Sequence, residues 1–144
     1  MKPQAVTDLE NELLRAFSRK HPTIPPHYYP TIKREDRTAN GLTRCIIDYI
    51  TLHGGQAERI SITGRPTETP SGIKWSKSNM TRGTADVSAT IRGQSVKIEI
   101  KIGTDRQSEA QKEYQQKITA AGGIYYIARN FTDFVAWYSS KWSN

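Results

Sequence analysis

Residues 83–101 read GTADVSATIRGQSVKIEIK and predict two short β-strands joined by a tight turn at 92–94. In both strands apolar side chains alternate with polar ones. Because successive side chains of a strand point to opposite faces, one face of this hairpin is apolar. The polar face can bring Asp86, Glu99 and Lys101 together.

Two carboxylates and a lysine on one face of a small sheet have a chemical meaning. Carboxylate oxygens suit Mg²⁺ or Mn²⁺, and such an ion acidifies a bound water and holds a phosphate under attack. The lysine can orient or deprotonate that water, or stabilise the charge that develops on phosphorus. A lone Glu-x-Lys pattern is more often the solvated face of an amphipathic strand, so the flanking sequence has to decide between the two.

The composition fits a single basic domain. The chain has 144 residues, a formal net charge of +7 and one cysteine, Cys45. An intrachain disulfide and a zinc site built from several thiolates are therefore excluded. No apolar run approaches the ~20 residues that span a bilayer, and no apolar signal-peptide core follows the N-terminus. We expect a protein of the cytoplasm without a membrane partner.

Basic side chains are concentrated around the hairpin. Segment 65–106 carries eight of them against four acidic residues, so more than half of the excess charge lies there. A basic surface attracts phosphate backbones, but many proteins with no nucleic-acid partner are basic, so the charge alone is a weak signal for DNA. The basic residues that we expect to contact DNA are Arg59, Arg65, Lys74, Lys77, Arg82 and Arg106.

The segments around the hairpin supply the other elements of an α/β or α+β fold. Helices are predicted over 7–20 with Thr7 as the cap, over 39–53 after Thr38, from Ser108 to about 121, and from Asn130 or Thr132 to about 141. Strands are predicted over 56–63 and 124–128. The core order α-β-β-β-α-β predicts a central mixed sheet of about four strands flanked by helices, with the last strand parallel to the Glu-x-Lys strand.

Two segments lie outside this predicted core. Residues 1–38 combine a helix with a linker rich in proline, tyrosine and basic residues, and we predict that they are an addition to a core domain at 39–144. The aromatic and basic residues of the linker suit nucleic-acid stacking and packing on the core equally well. Residues 64–83 predict a polar, flexible stretch, which we interpret as a mobile loop over the substrate; disorder without function is the alternative.

Several spaced features of the chain together resemble the VRR-NUC branch of the PD-(D/E)XK nucleases, which is similar to Holliday-junction resolvases. They are Gly83-Thr84-Ala85-Asp86-Val87, Gly93, Ile98-Glu99-Ile100-Lys101, Gly103, Ser108-x-x-Gln111, Tyr114 and Gly122-Gly123, with Arg59 and Gly64 in and after the first strand. The resemblance covers about residues 39–138 and not the first 38.

The resemblance implies a PD-(D/E)XK fold and a metal-dependent DNA endonuclease, either selective for branched or flapped DNA or nicking. It implies that Asp86, Glu99 and the backbone carbonyl of Ile100 bind Mg²⁺ or Mn²⁺. Lys101 would act on the attacking water, and Gln111 would support the site. Cutting both strands needs two sites, which makes a homodimer plausible. Relatives of this kind imply the cytoplasm of a bacterial or phage-infected cell.

Two positions depart from the family pattern. Ala85 stands where the family usually has proline, which changes only the stiffness of the turn. Asn40 stands where the family usually has a glutamate that completes the metal site. Asparagine can ligate a metal through its carbonyl oxygen but brings no charge. Activity is then weakened, or Glu35 or Asp36 substitutes, or the glutamate has been replaced.

Three functions are consistent with these residues. The first is the metal-dependent nuclease. The second is a catalytically weakened or inactive DNA-binding protein with the nuclease fold, which Asn40 and the net charge favour. The third is a protein-interaction module whose basic face docks an acidic partner.

Overall fold

The computed structural model describes residues 1–60, 65–76 and 82–143. The helices are α1 (Gln4–Lys20), α2 (Ala39–Leu52), α3 (Glu109–Ala120) and α4 (Phe131–Trp142), and a short 3₁₀ turn spans Pro26–Tyr28. The strands are β1 (Gln56–Arg59), β2 (Arg65–Thr69), β3 (Gly72–Ser76), β4 (Val87–Ile91), β5 (Gln94–Ile100) and β6 (Ile124–Ala128). Within these ranges the fold is α+β with four α-helices and a mixed four-stranded sheet, which confirms the predicted class.

The main sheet has the strand order β1-β4-β5-β6. β4 is antiparallel to β1 and β5, whereas β6 is parallel to β5, as the crossover through α3 predicts. The hairpin loop consists of Arg92 and Gly93, whose φ angles of 47° and 81° are both left-handed. Such mirror-image turns match the twist of the flanking strands. Gln94, predicted in the turn, belongs to β5.

One face of this sheet carries the hydrophobic core. Buried side chains of β4 and β5 pack there against α2, and α1 and α4 join the same layer. Glu99 alternates with the buried Ile98 and Ile100, so its side chain lies on the opposite face. α3 packs on β6 and meets Glu99 on that face. The alternation that predicts the hairpin therefore also separates the apolar core from the polar site.

The helix starts follow local capping chemistry, with one exception. The Thr38 hydroxyl accepts the N–H of Gly41 at 3.0 Å, and the Asn130 side chain accepts the N–H of Asp133 at 2.8 Å, which confirms both predicted caps. α1 begins at Gln4 after Pro3, so the predicted start at Thr7 is wrong. Glu10 does not complete a capping box; it binds Lys2 and accepts the Arg34 backbone N–H at 2.7 Å.

Two sequence expectations change in the middle of the chain. β1 ends at Arg59, and the rest of the strand predicted to 63 falls largely outside the described residues. The flexible stretch predicted over 64–83 is wrong for 65–76, because β2 and β3 form a separate antiparallel pair. Residues 64 and 77–81, including Lys77, lie outside the described ranges.

The N-terminal helix packs on the rest of the protein. Val6 and Leu9 of α1 are buried in the same hydrophobic cluster as the inner faces of α2 and α4. The assignment of 1–38 as an addition to a domain at 39–144 stays a prediction. Across the described ranges, no helix is both long enough and apolar enough to cross a membrane.

Candidate functional site

Asp86 is fixed at one end of the sheet, where three strands meet. It directly precedes β4, and its Oδ2 accepts the backbone N–H of Ile100 at the end of β5, at 2.8 Å. Its carbonyl oxygen accepts the N–H of Ile60, just beyond β1, at 2.9 Å. The carboxylate is therefore held by backbone geometry rather than by a flexible side-chain partner.

Glu99 is almost completely buried, with 3% of its side chain exposed. Its Oε1 accepts the Nε2 of Gln111 at 2.8 Å and lies 3.5 Å from Nζ of Lys101. Its Oε2 is buried without a hydrogen-bond donor among the described residues. A buried carboxylate oxygen without a donor costs free energy, which makes this atom the exception in an otherwise satisfied site.

The environment of Glu99 disfavours its negative charge. Its pKa is raised from the ordinary value of 4.5 to about 8, first by burial and then by the charge of Asp86 and a hydrogen bond with Asp86. Lys101 acts in the opposite direction. A cation bound beside Glu99 would offset this penalty on its negative charge.

The direction of the Gln111 side chain is set by the start of α3. Ser108 Oγ accepts the Gln111 N–H at 3.2 Å, and Gln111 Oε1 accepts the Ser108 N–H at 2.9 Å, which confirms the predicted capping box. Because the cap uses the amide oxygen, the amide nitrogen is left to donate to Glu99. The capping box at the start of α3 thus orients the Gln111 Nε2 so that it donates to the buried carboxylate of Glu99.

A narrow cleft of about 140 Å³ opens beside Asp86. It lies where α2 begins and where β1 and β5 end, and it is lined by Ala39, Asn40, Thr43, Arg59, Ile60, Asp86 and Ile100. Glu99 does not line the cleft, but it interacts with Asp86, which does. The structure therefore brings together Asp86, Ile100 and Asn40 at the cleft, and it places the buried Glu99 beside them with its partners Lys101 and Gln111, which are partly exposed.

Asn40 lies in the cleft, and each of its two oxygens accepts one hydrogen bond from Arg59 and keeps a second lone pair. Arg59 donates from Nη1 to Asn40 Oδ1 at 3.0 Å and from Nη2 to the Asn40 carbonyl oxygen at 3.2 Å. The guanidinium is thus paired with Asn40, the residue at the position where the resembled family usually has a carboxylate. Arg59 is predicted to contact DNA, and its position in the cleft suits that role.

The two acids considered as substitutes for the missing glutamate are engaged elsewhere. Asp36 is buried, and its Oδ2 accepts the N–H of Phe131 at the start of α4, at 2.9 Å. Glu35 accepts the backbone N–H groups of Arg37 and Thr38. Neither lines the cleft, so the expectation that one of them replaces the glutamate is wrong.

The predicted DNA-contacting residues are spread over several surfaces. Lys74 and Arg106 are exposed, and Arg82 lines a second cleft beside α3 with Glu113 and Lys117. Arg65 lies on β2, and Lys77 lies outside the described residues. Only Arg59 of this set lines the cleft beside Asp86 in the described chain.

Sequence reasoning does not identify the role of Tyr125. Burial raises its pKa, a hydrogen bond from Gln107 lowers it, and the charges of Glu99 and Asp86 raise it. Its hydroxyl lies 3.3 Å from the Gln107 Nε2. Tyr125 thus places an aromatic ring near the carboxylates of Glu99 and Asp86. The apolar run of β6 predicts a buried strand and gives no sign of this position.

Gly83 packs directly on the first turn of α3. Its φ is +74°, and a Cβ built there would lie 2.2 Å from the carbonyl oxygen of Ala110. Only glycine allows this approach between backbones. The segment before Asp86 and the helix that carries Gln111 are thereby fixed to each other.

We expect Gly83→Ala to lower stability by about 2 kcal/mol, from steric overlap and left-handed strain, and to reduce any activity of the site more than tenfold by displacing Gln111. Gly93→Ala is the control, because Gly93 has a similar φ of +81° with nothing within 4 Å of an added Cβ. Urea unfolding and a cleavage assay measure the two effects. Equal losses in both variants would contradict the contact with α3.

The donor set is compatible with a hard divalent cation. Asp86 and Glu99 supply carboxylate oxygens, Asn40 an amide oxygen, and Glu99 Oε2 is a buried acceptor without a donor. Mg²⁺ and Mn²⁺ take such oxygen ligands together with water. In the described part of the chain no cluster of three or more His, Cys, Asp or Glu side chains is present.

A scan against protein-family models and a search of curated proteins both found no match to this chain.

Proposed function

We propose that this protein is a Mg²⁺- or Mn²⁺-dependent nuclease of PD-(D/E)XK fold that hydrolyses phosphodiester bonds of DNA. The observation that carries the proposal is a buried carboxyl group, Glu99, beside the partly buried carboxylate of Asp86. Glu99 is held by Gln111 and Lys101, and one of its oxygens has no donor in the described part of the chain. It lies beside Asp86, which lines an open cleft. A pair of this kind is costly unless it serves a ligand.

Each residue of the site has a part in this reaction. Asp86, Glu99, the backbone of Ile100 and the amide oxygen of Asn40 would hold the ion. When bound, the ion acidifies a water and polarises the phosphate. The water oxygen loses a proton to solvent and forms a bond to phosphorus, the bond from phosphorus to one deoxyribose oxygen breaks, and that oxygen takes up a proton from solvent. Lys101 orients the water and stabilises the negative charge at phosphorus, and Gln111 keeps Glu99 in position.

The test is a cleavage assay on plasmid, linear duplex, single-stranded and four-way-junction DNA with Mg²⁺, Mn²⁺ or EDTA. Asp86→Asn is the matched variant, because an amide oxygen still accepts the Ile100 N–H while the charge is lost. We expect metal-dependent cleavage by the natural sequence and none by the variant. Absence of cleavage on every substrate, with DNA still bound, would refute the nuclease.

A specific observation favours a second candidate, a DNA-binding protein without strong catalysis. The Asn40 oxygens are bonded to Arg59, so a cation is paired with the residue at the position where the resembled family usually has a carboxylate. This candidate predicts salt-sensitive DNA binding without cleavage.

Asn40→Asp separates the two roles of this position. If residue 40 is a metal ligand, the added carboxylate should tighten metal binding and raise cleavage about tenfold. If Asn40 serves only to hold Arg59, the new carboxylate will pair with the guanidinium more strongly and weaken DNA binding instead. We expect the first result, measured by Mn²⁺ titration of cleavage and by DNA binding in EDTA. A rise in the DNA dissociation constant without tighter metal binding would contradict it.

A further inference from the structure

A groove of about 350 Å³, distinct from the cleft beside Asp86 and the cleft beside α3, lies beside the start of α2. It is formed where the linker after α1 crosses α2, and it is lined by Lys2, Lys33, Arg34, Glu35, Gly41 and Arg44. We call this set the basic groove. It contains none of the residues of the cleft beside Asp86, so it is a separate feature of the surface.

The groove is built around a fixed arginine. Arg34 donates from Nε to Asp48 Oδ2 at 2.7 Å and from Nη1 to the Lys33 carbonyl oxygen at 3.0 Å, and only 12% of its side chain is exposed. The backbone N–H of Arg34 is bonded to Glu10 of α1. The linker is therefore anchored at this point.

The free charge of the groove comes from Lys33 and Arg44. Lys2 and Arg34 are offset by Glu10 and Asp48, and Glu35 is the acid in the lining. The Glu35 oxygens are bonded to N–H and hydroxyl groups of the α2 cap. Lys33 and Arg44 are exposed, and their side chains have no hydrogen-bond or ion-pair partner in the described ranges. Because Glu35 already occupies the N-terminus of α2, the attraction for an anionic ligand comes from the side chains of Lys33 and Arg44.

The basic groove and the cleft share the first turns of α2. Asn40 and Thr43 line the cleft, whereas Gly41 and Arg44 line the groove. Because neighbouring helix positions are separated by about 100°, these pairs lie on adjacent faces of one helix. A ligand that crosses the start of α2 reaches both, and it must carry more than one negative charge to pair with Lys33 and Arg44.

We propose that the basic groove binds the DNA backbone next to the segment being cut, with Lys33 and Arg44 as phosphate contacts. The choice of DNA over another polyanion rests on the proposed nuclease function of the cleft. The N-terminal 38 residues would then supply part of the DNA-binding surface. A DNA strand would run from the cleft across α2 onto the linker.

The test compares Lys33→Ala/Arg44→Ala with Arg19→Ala/Lys20→Ala. Each pair removes one lysine and one arginine from exposed positions. The second pair lies at the end of α1, outside the basic groove and outside the cleft beside Asp86. Binding of a fluorescein-labelled oligonucleotide is measured by anisotropy in EDTA over a series of salt concentrations. A labelled polyglutamate of similar charge serves as the acidic-protein probe.

We expect the groove variant to bind DNA roughly tenfold or more weakly, with a salt dependence of log Kd that is shallower by about two. The control pair should change neither quantity appreciably.

Two results would overturn the groove alone: equal losses in both pairs, or unchanged binding in the groove variant while the natural sequence binds DNA. Polyglutamate bound as tightly as DNA, and lost in the groove variant, would also overturn it by assigning the surface to an acidic protein. Loss of DNA binding in the groove variant without cleavage by the natural sequence would support the groove and refute the nuclease. Absence of DNA binding by the natural sequence would overturn both.

Discussion

Glu99→Gln should reduce DNA cleavage roughly a thousandfold while making the metal-free protein more stable at neutral pH. The substitution conserves shape, and the glutamine oxygen can still accept the Gln111 Nε2 that now bonds to Glu99 Oε1. The new amide nitrogen replaces the oxygen that lacks a donor, and it can donate to a neighbouring carboxylate. Function and stability therefore change in opposite directions.

The pH dependence of the metal-free protein follows from the same group. The unfolded chain releases the Glu99 proton near the ordinary pKa of 4.5, whereas the folded protein keeps it until about 8. Between these values the folded state binds more protons, so raising the pH lowers its stability. The scale is about 1.4 kcal/mol per pKa unit, and Glu99→Gln removes this dependence.

The measurement is urea unfolding in EDTA at several pH values across this window, with cleavage assayed in Mg²⁺. Glu58→Gln is the control, since it removes one carboxylate from an exposed position of β1. Added Mg²⁺ should stabilise the natural sequence and affect Glu99→Gln much less. Cleavage retained in Glu99→Gln, or a loss of stability at pH 7 in EDTA, would contradict this account of the site.

The parts of the fold that depend on local chemistry could be predicted from the sequence. Period-two alternation placed β4 and β5, and side-chain caps placed the starts of α2, α3 and α4. The turn at Arg92 and Gly93 follows from the same alternation. These signals act over a few residues and do not depend on the rest of the fold.

The errors arise where a distant contact decides between local alternatives. Thr7 and Glu10 have the spacing of a capping box, but Glu10 is used by Lys2 and by the linker at Arg34. Residues 65–76 lack an apolar face, so no alternation of apolar and polar residues indicated the strands β2 and β3. In the structure these strands pair on either side of a turn at Pro70 and Ser71. Local pattern alone could not resolve either case.

The candidate site shows the same division. The alternating face brought Glu99 and Lys101 to within 3.5 Å, as the hairpin predicts. The bond between Arg59 and Asn40 joins positions 19 apart in the sequence, and that of Asp36 to Phe131 joins positions 95 apart. Such pairs follow from tertiary packing, so the sequence could not predict which acids face the cleft.

Lys101→Met should lower the turnover number for DNA cleavage by about a hundredfold to a thousandfold, with little change in DNA affinity measured in EDTA. Methionine keeps the length of the side chain but removes the charge 3.5 Å from Glu99 Oε1. The side chain is only 12% exposed, so it contributes little to the surface that meets DNA. A loss confined to turnover is what a group acting on the transition state produces.

Lys97→Met is the matched control on the same face of β5, where Lys97 bonds to the hydroxyl of Ser88 at 2.6 Å. It should cleave DNA almost as well as the natural sequence. Equal losses in both variants would mean that the charge of this face, and not Lys101 itself, supports catalysis.

Lys101→Arg then separates the two roles open to Lys101. Arginine keeps a positive charge but does not release a proton near neutral pH. If Lys101 stabilises charge at phosphorus, arginine should restore much of the activity that methionine loses. If Lys101 takes a proton from the water, arginine should be as inactive as methionine. The pH profile of cleavage by the natural sequence should then show an ionisation that is missing from the profile of the arginine variant. Because Lys101 Nζ lies 3.5 Å from a carboxylate oxygen of Glu99, a cation is accommodated at this position, and we expect charge stabilisation and therefore recovery with arginine.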